Sequence, residues 1–128
     1  MRIAVTLALV VMLTGCTSIT PKYYESAVAR ATPGSRAIVI RRGRHFGIDN
    51  VPLVIFLDGR PVAHVGGGQT ITLHVADGRH SIGVAPKAAE DRGPSSSITV
   101  DVSAQNQPVL ITNVAWMGWA GWKIEREE

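Results

Sequence analysis

From residue 37 onward, apolar residues come in short β-branched runs that alternate with polar ones and are cut by glycine-bearing turns. That period belongs to strands rather than helices. Residues 37–41 read as the first strand, and residues 43–50, polar and glycine-bearing, as a loop. Leu53–Leu57 is apolar at every position. Asp58-Gly59 predicts a two-residue type I′ hairpin turn, because both central positions need positive φ and this pair tolerates it. That register sets Leu57 opposite Arg60, Phe56 opposite Pro61, Ile55 opposite Val62, Val54 opposite Ala63 and Leu53 opposite His64. Val54, Phe56, Ala63 and Val65 then form the core face. Leu53, Ile55 and Leu57 on the other face need cover from Tyr23 and Tyr24 or from a second sheet, since contiguous apolar surface is unusual on a monomer.

Gly66, Gly67 and Gly68 make the next turn, after which Ile71, Leu73 and Val75 alternate with Thr70, Thr72 and His74. Asp77-Gly78 predicts a second tight hairpin, with Val75 opposite His80 and His74 opposite Ser81. The charged, proline-bounded residues 86–94 are expected to carry the chain from one sheet to the other. Ile98, Val100 and Val102 alternate with Thr99 and Asp101, and residues 109–114 follow a polar turn as another strand. The pattern as a whole predicts an all-β fold, a small β-sandwich of about seven antiparallel strands. Its expected core is Ile38, Ile40, Val54, Phe56, Ile71, Leu73, Val75, Ile82, Val84, Ile98, Val100 and Ile111. Meander and Greek-key strand orders both fit.

The first 35 residues follow a different pattern. Arg2 precedes an apolar run from residue 3 to residue 13, too short to span a bilayer, which takes about 20 residues. This is the layout of a secretory signal peptide. The run closes on Leu13-Thr14-Gly15-Cys16, which resembles the lipobox of bacterial lipoproteins. The resemblance implies cleavage between Gly15 and Cys16 and a thioether-linked diacylglycerol on Cys16 as the new N-terminus. Thr17 stands where, in enteric bacteria, an Asp would favour the inner membrane, so the expected location is the outer membrane, facing the periplasm. Residues 17–35 are rich in Ser, Thr, Pro, Ala and Gly around Tyr23 and Tyr24. They are expected to form a flexible tether, residues 23–31 allowing two turns of helix that are marginal without packing. The expected organisation is a lipoprotein signal peptide (1–15), a lipidated N-terminus and tether (16–35) and a β-sandwich domain (36–128).

A chain of 128 residues has room for one core. Cys16 is its one cysteine, so no disulfide can form within the chain and packing must hold the domain. Thirteen Lys and Arg against ten Asp and Glu give +3, too near neutral to imply nucleic acid. Arg36, Arg41, Arg42 and Arg44 gather beside His45, either as a solvated hairpin end or as a patch leaning on anionic headgroups.

Candidate chemistry thins out on inspection. In the predicted register His74 and His80 lie on opposite faces, and His64 has no carboxylate fixed nearby, so no metal site is expected. Ser95, Ser96 and Ser97 lack a nucleophile elbow, and the Gly66–Gly68 run lacks the Lys-Ser or Lys-Thr pair and the helix of a phosphate loop. Asp58 and Asp77 are explained by their turns. No catalytic residue and no cofactor are expected, apart from the covalent lipid on Cys16.

The order of a strand, Asp58-Gly59-Arg60-Pro61-Val62, a glycine turn, an alternating strand and Asp77-Gly78-Arg79-His80 resembles the PEGA-like domains, and small bacterial lipoproteins of unknown function with that arrangement. The resemblance covers roughly residues 37–102. It implies a small β-sandwich at the cell envelope without established catalytic residues. Outside it, Trp116, Trp119 and Trp122 hold all the tryptophan of the chain at a spacing of three. They either cover the edge of the sandwich or form an interaction surface. Two functions follow as expectations. One is a non-catalytic interaction or structural module, held at the membrane by its lipid and meeting an envelope partner. The other is a module that binds a glycan or lipid in a pocket framed by the tryptophans.

Overall fold

The alternation seen in the sequence becomes two packed sheets in a computed structural model, which describes residues 21–45, 47–114 and 121–127. Nine strands are found among the described residues: β1 (Lys22–Tyr23), β2 (Arg36–Arg42), β3 (Leu53–Leu57), β4 (Arg60–Val65), β5 (Thr70–Val75), β6 (Gly78–Pro86), β7 (Ser96–Val102), β8 (Val109–Val114) and β9 (Trp122–Arg126). The first sheet has the order β1-β4-β3-β6-β7 and the second β5-β2-β8-β9. The fold is an all-β sandwich, as the pattern predicts. Every pairing is antiparallel except β2 with β8, where Val39 to Arg42 run parallel to Val109 to Thr112.

Asp58 and Gly59 both take positive φ, 51° and 86°, and join Leu57 to Arg60 in the expected two-residue turn. Beyond Phe56↔Pro61 the register shifts, so that Ile55 faces Ala63, Val54 faces His64 and Leu53 faces Val65. Val62 is the extra residue of a β-bulge beside Pro61, a residue that has no N–H to give to a ladder. The bulge turns Ala63 and Val65 onto the same side as Leu53, Ile55 and Leu57. This corrects the expected core face: the main core holds Leu53, Ile55, Leu57, Val62, Ala63 and Val65. Val54 and Phe56 form a smaller outer cluster with Ala85, against which Tyr24 packs.

Two connections exchange the roles expected of them. Asp77-Gly78 makes no hairpin, because β5 pairs with β2 while β6 pairs with β3 and β7. The chain changes sheet there, with Gly78 at φ 132°. Residues 86–94 stay within one sheet, looping through a 3-10 turn at Lys87–Arg92 from β6 to its antiparallel neighbour β7. A glycine dipeptide fixes how sharply the chain bends, while partner choice depends on which apolar faces must meet. In β8 the inward residues are Leu110 and Thr112, both 0% exposed, while Ile111 is half-buried; Ile98 is half-buried too. Thr112 satisfies its hydroxyl by donating to the Lys123 carbonyl at 2.7 Å.

The fold begins before residue 36. β1 adds an edge to the first sheet through Lys22↔His64 and Tyr23↔Ala63. Alternation sends Tyr23 inward, where its hydroxyl donates to the Thr72 carbonyl of the second sheet at 2.7 Å. A one-turn helix, α1 (Ser26–Ala29), then buries Val28 in the main core. Residues expected to be a tether are therefore partly structural, because the two tyrosines and Val28 supply the packing that a short helix lacks alone.

The registers define two ends of the sandwich. At one end lie the start of β1, the connection 43–52, the turn Gly66 to Gly68, the end of β8 and the start of β9. At the other lie the Asp58-Gly59 turn, the Asp77 crossing and the connection 103–108.

Candidate functional site

The end where β1 begins is built around Arg42. Ile38, Ile40 and Arg42 share the inward face of β2, and Arg42 is 2% exposed. Its Nη1 donates to the Val65 carbonyl at 2.9 Å and to the Val51 carbonyl, and its Nη2 to the Ile48 carbonyl at 2.7 Å. The guanidinium stacks 4.6 Å from the centre of the Trp122 ring, a geometry that favours a cation over an aromatic face. Burial pushes the Arg42 pKa down and the nearby Asp49 charge partly offsets this. Among the described residues its Nε has no partner. One arginine therefore ties the 43–52 connection to the end of β4 and to β9.

Around this clamp the backbone is closely fitted. Asp49 accepts from the His45 N–H at 2.7 Å, and its carbonyl accepts from the Gly67 N–H at 2.9 Å. A Cβ on Gly67 would overlap the Asp49 carboxylate, and Gly68 takes φ 74° beside the Arg44 side chain. The exposed side of the same end carries Lys22, Arg44 and Val51, the last 38% exposed and the one large apolar residue so exposed among those described.

The arginine cluster read from the sequence is split by strand alternation. Arg36 pairs with Asp77 at 2.7 Å at the opposite end, Arg41 pairs with Glu127 at 3.2 Å, and Arg42 is buried. Arg44 alone keeps the position of a surface cation at the end where β1 begins. Of the tryptophans, Trp122 is 9% exposed and belongs to the core rather than to an open surface. Trp116, Trp119, Gly15 and Cys16 lie outside the described residues.

The opposite end holds a second polar constellation that the sequence did not announce. His80 Nδ1 donates to Asp58 Oδ2 at 2.8 Å and Nε2 donates to the Ala76 carbonyl at 2.7 Å, while Asp58 Oδ1 accepts from the Ser81 N–H at 2.9 Å. Both acceptors lack protons, so the geometry calls for an imidazolium. Burial opposes that charge, but the Asp58 hydrogen bond, the Ala76 carbonyl and the Asp58 charge outweigh it and raise the His80 pKa. For Asp58 burial pushes upward, and the bonds from His80 and Ser81 with the His80 and Arg60 charges bring its pKa below the ordinary carboxylate value. With both nitrogens committed, His80 latches the β3–β4 turn to the crossing before β6.

The expected separation of His74 and His80 by register does not apply, since their strands are in different sheets. Both instead line one hollow of about 290 Å³ together with Glu25 and Asp58. Among the described residues no group of three or more His, Cys, Asp or Glu side chains is placed to hold a metal ion. On the outer face of the first sheet, Tyr24 shares a 2.8 Å hydrogen bond with His64 Nδ1, and the Lys87 ammonium lies 4.9 Å from the Tyr24 ring centre. An open groove of about 820 Å³ runs beside it, lined by Phe56, Pro61, Lys87, Glu90, Asp91 and Arg92 among others.

Comparison of the chain with protein-family models, curated proteins and solved structures finds no match in any of the three. The residues of the chain itself must therefore carry the functional reading.

Proposed function

We propose that this chain is a lipid-anchored protein of the cell envelope whose sandwich serves as a non-catalytic interaction or structural module. One observation supports this most: Arg2 and the short apolar run from residue 3 to residue 13 close on Leu13-Thr14-Gly15-Cys16, the lipobox-like sequence that offers Cys16 for lipidation. Among the described residues no helix is long and apolar enough to cross a membrane.

The interaction reading is preferred over glycan or lipid binding because Trp122, one of the tryptophans that would frame a pocket, is stacked under Arg42 in the core. The test is metabolic labelling with a fatty acid followed by membrane fractionation. The wild-type chain should be labelled and sediment with membranes, and Cys16→Ser should lose the label and remain uncleaved or soluble. Unlabelled wild-type protein found wholly in the soluble fraction would end the proposal. Separation of inner from outer membranes then tests the outer-membrane location that Thr17 suggests.

A further inference from the structure

We propose that the sandwich is held end-on, with the end where β1 begins resting on the anionic headgroup surface that receives the lipid. The inference rests on Cys16 being the lipidated residue. Five positions separate Cys16 from Pro21, and β1 starts at the next residue. At the reach of an extended chain this is a link of no more than roughly 18 Å. Because β1 runs antiparallel to β4 with Lys22 opposite His64, the chain approaches from the end formed by the 43–52 connection and the Gly66 to Gly68 turn. That end is the one that the link brings to the bilayer.

Its surface chemistry fits the same neighbour. Lys22 and Arg44 are exposed and have no ion-pair partner among the described residues. Asp49 of the same end is turned to the His45 amide. Val51, the exposed apolar side chain, projects from the same connection as Arg44. Cations around an apolar side chain are what an anionic interface accepts, each cation near the surface being worth on the order of 1 kcal/mol. The opposite end differs in kind: Asp58, Glu25, Asp77 and Asp101 are paired there with His80, Arg60, Arg36 and Arg79. Its charges are largely cancelled within the fold.

The experiment uses the full chain, processed and reconstituted in vesicles of phosphatidylethanolamine and phosphatidylglycerol. Cys16 is the one native cysteine, so with its sulfur lipidated an introduced cysteine is the one free thiol. A fluorophore is placed on Asn50→Cys at the proposed contact or on Ala104→Cys at the other end, and quenching by brominated lipid is read. The Asn50 probe should be quenched and the Ala104 probe should not. Lys22→Gln and Arg44→Gln should each lower the ratio of docked to undocked protein by about five-fold. Replacing phosphatidylglycerol by a zwitterionic lipid should act in the same direction. Equal quenching at both positions, or quenching that ignores lipid charge, would overturn the end-on arrangement while leaving the lipid anchor standing. Absence of fatty-acid label on Cys16 in the same preparation would overturn both.

Discussion

Arg42 shows how one residue position can be legible in kind and missed in consequence. Its place after Ile38 and Ile40 in strict alternation already puts it on the inward face, yet ending the first strand at Arg41 made it a surface cation. A charged side chain is held there because its N–H groups meet the Val65 carbonyl at the end of β4 and the Val51 and Ile48 carbonyls of the 43–52 connection, the Ile48 carbonyl also accepting from the Val51 N–H. Arg42→Ala should therefore destabilise the protein by about 3 kcal/mol in chemical denaturation, since these carbonyls lose the guanidinium donor. Arg42→Lys should recover only part of this, an ammonium being unable to serve the planar fork and the ring at once. His80 and Asp58 make a pH prediction with two limbs. The raised His80 pKa contributes stability that is complete below the ordinary histidine value and is lost as pH rises through the raised one. The lowered Asp58 pKa contributes stability that is complete above the ordinary carboxylate value and is lost as pH falls through the lowered one. Melting temperature against pH should thus peak between about pH 4 and 6.5 for this pair. His80→Gln should flatten the alkaline limb, with an amplitude of about 1 kcal/mol or less because Asp58 is open to solvent screening.

At the scale of elements, the strands themselves were legible because their alternation is strong, while their faces and partners were not. A single inserted residue inverts every face after it, and nothing in Ala63-His64-Val65 betrays the bulge at Val62 except the neighbouring Pro61. Deleting Val62 should remove the bulge and leave Ala63, His64 and Val65 opposite Ile55, Val54 and Leu53, with their faces unchanged. The expected result is cooperative unfolding at a lower melting temperature, because one buried side chain is lost, read by calorimetry. β1 escaped notice for a different reason: a strand of two residues has no period to detect. Its anchoring is carried by the inward tyrosine, so Tyr23→Ala should speed amide hydrogen exchange at residues 22–24 while leaving β2 and β8 protected. The turn at Gly66 to Gly68 was legible as a turn, but its tight fit against Asp49 is a tertiary fact. Gly67→Ala should cost about 1 to 3 kcal/mol by forcing the Asp49 side chain away from its amide donor.

For the whole molecule, residues 53 to 57 are buried on both sides, facing the second sheet with one side and the Tyr24 cluster with the other. Leu53→Ala or Ile55→Ala should cost about 2 to 5 kcal/mol, measured by urea unfolding of the processed chain. The parallel partnership of β2 with β8 also sets an order in time. β2 is an interior strand, flanked by β5 on one side and by β8 on the other, so Val39 must wait for Val109 to be synthesised before that flank is closed. Until then the growing chain presents an open strand edge with Ile38 and Ile40 on the face below it, the kind of surface that templates association between chains. A chain ended after Gln107 should aggregate or be degraded, whereas one that reaches Val114 can close the sheet. Long-range pairing of this sort places the protein among slow folders, for which the last strands to emerge decide whether the first ones are ever safe.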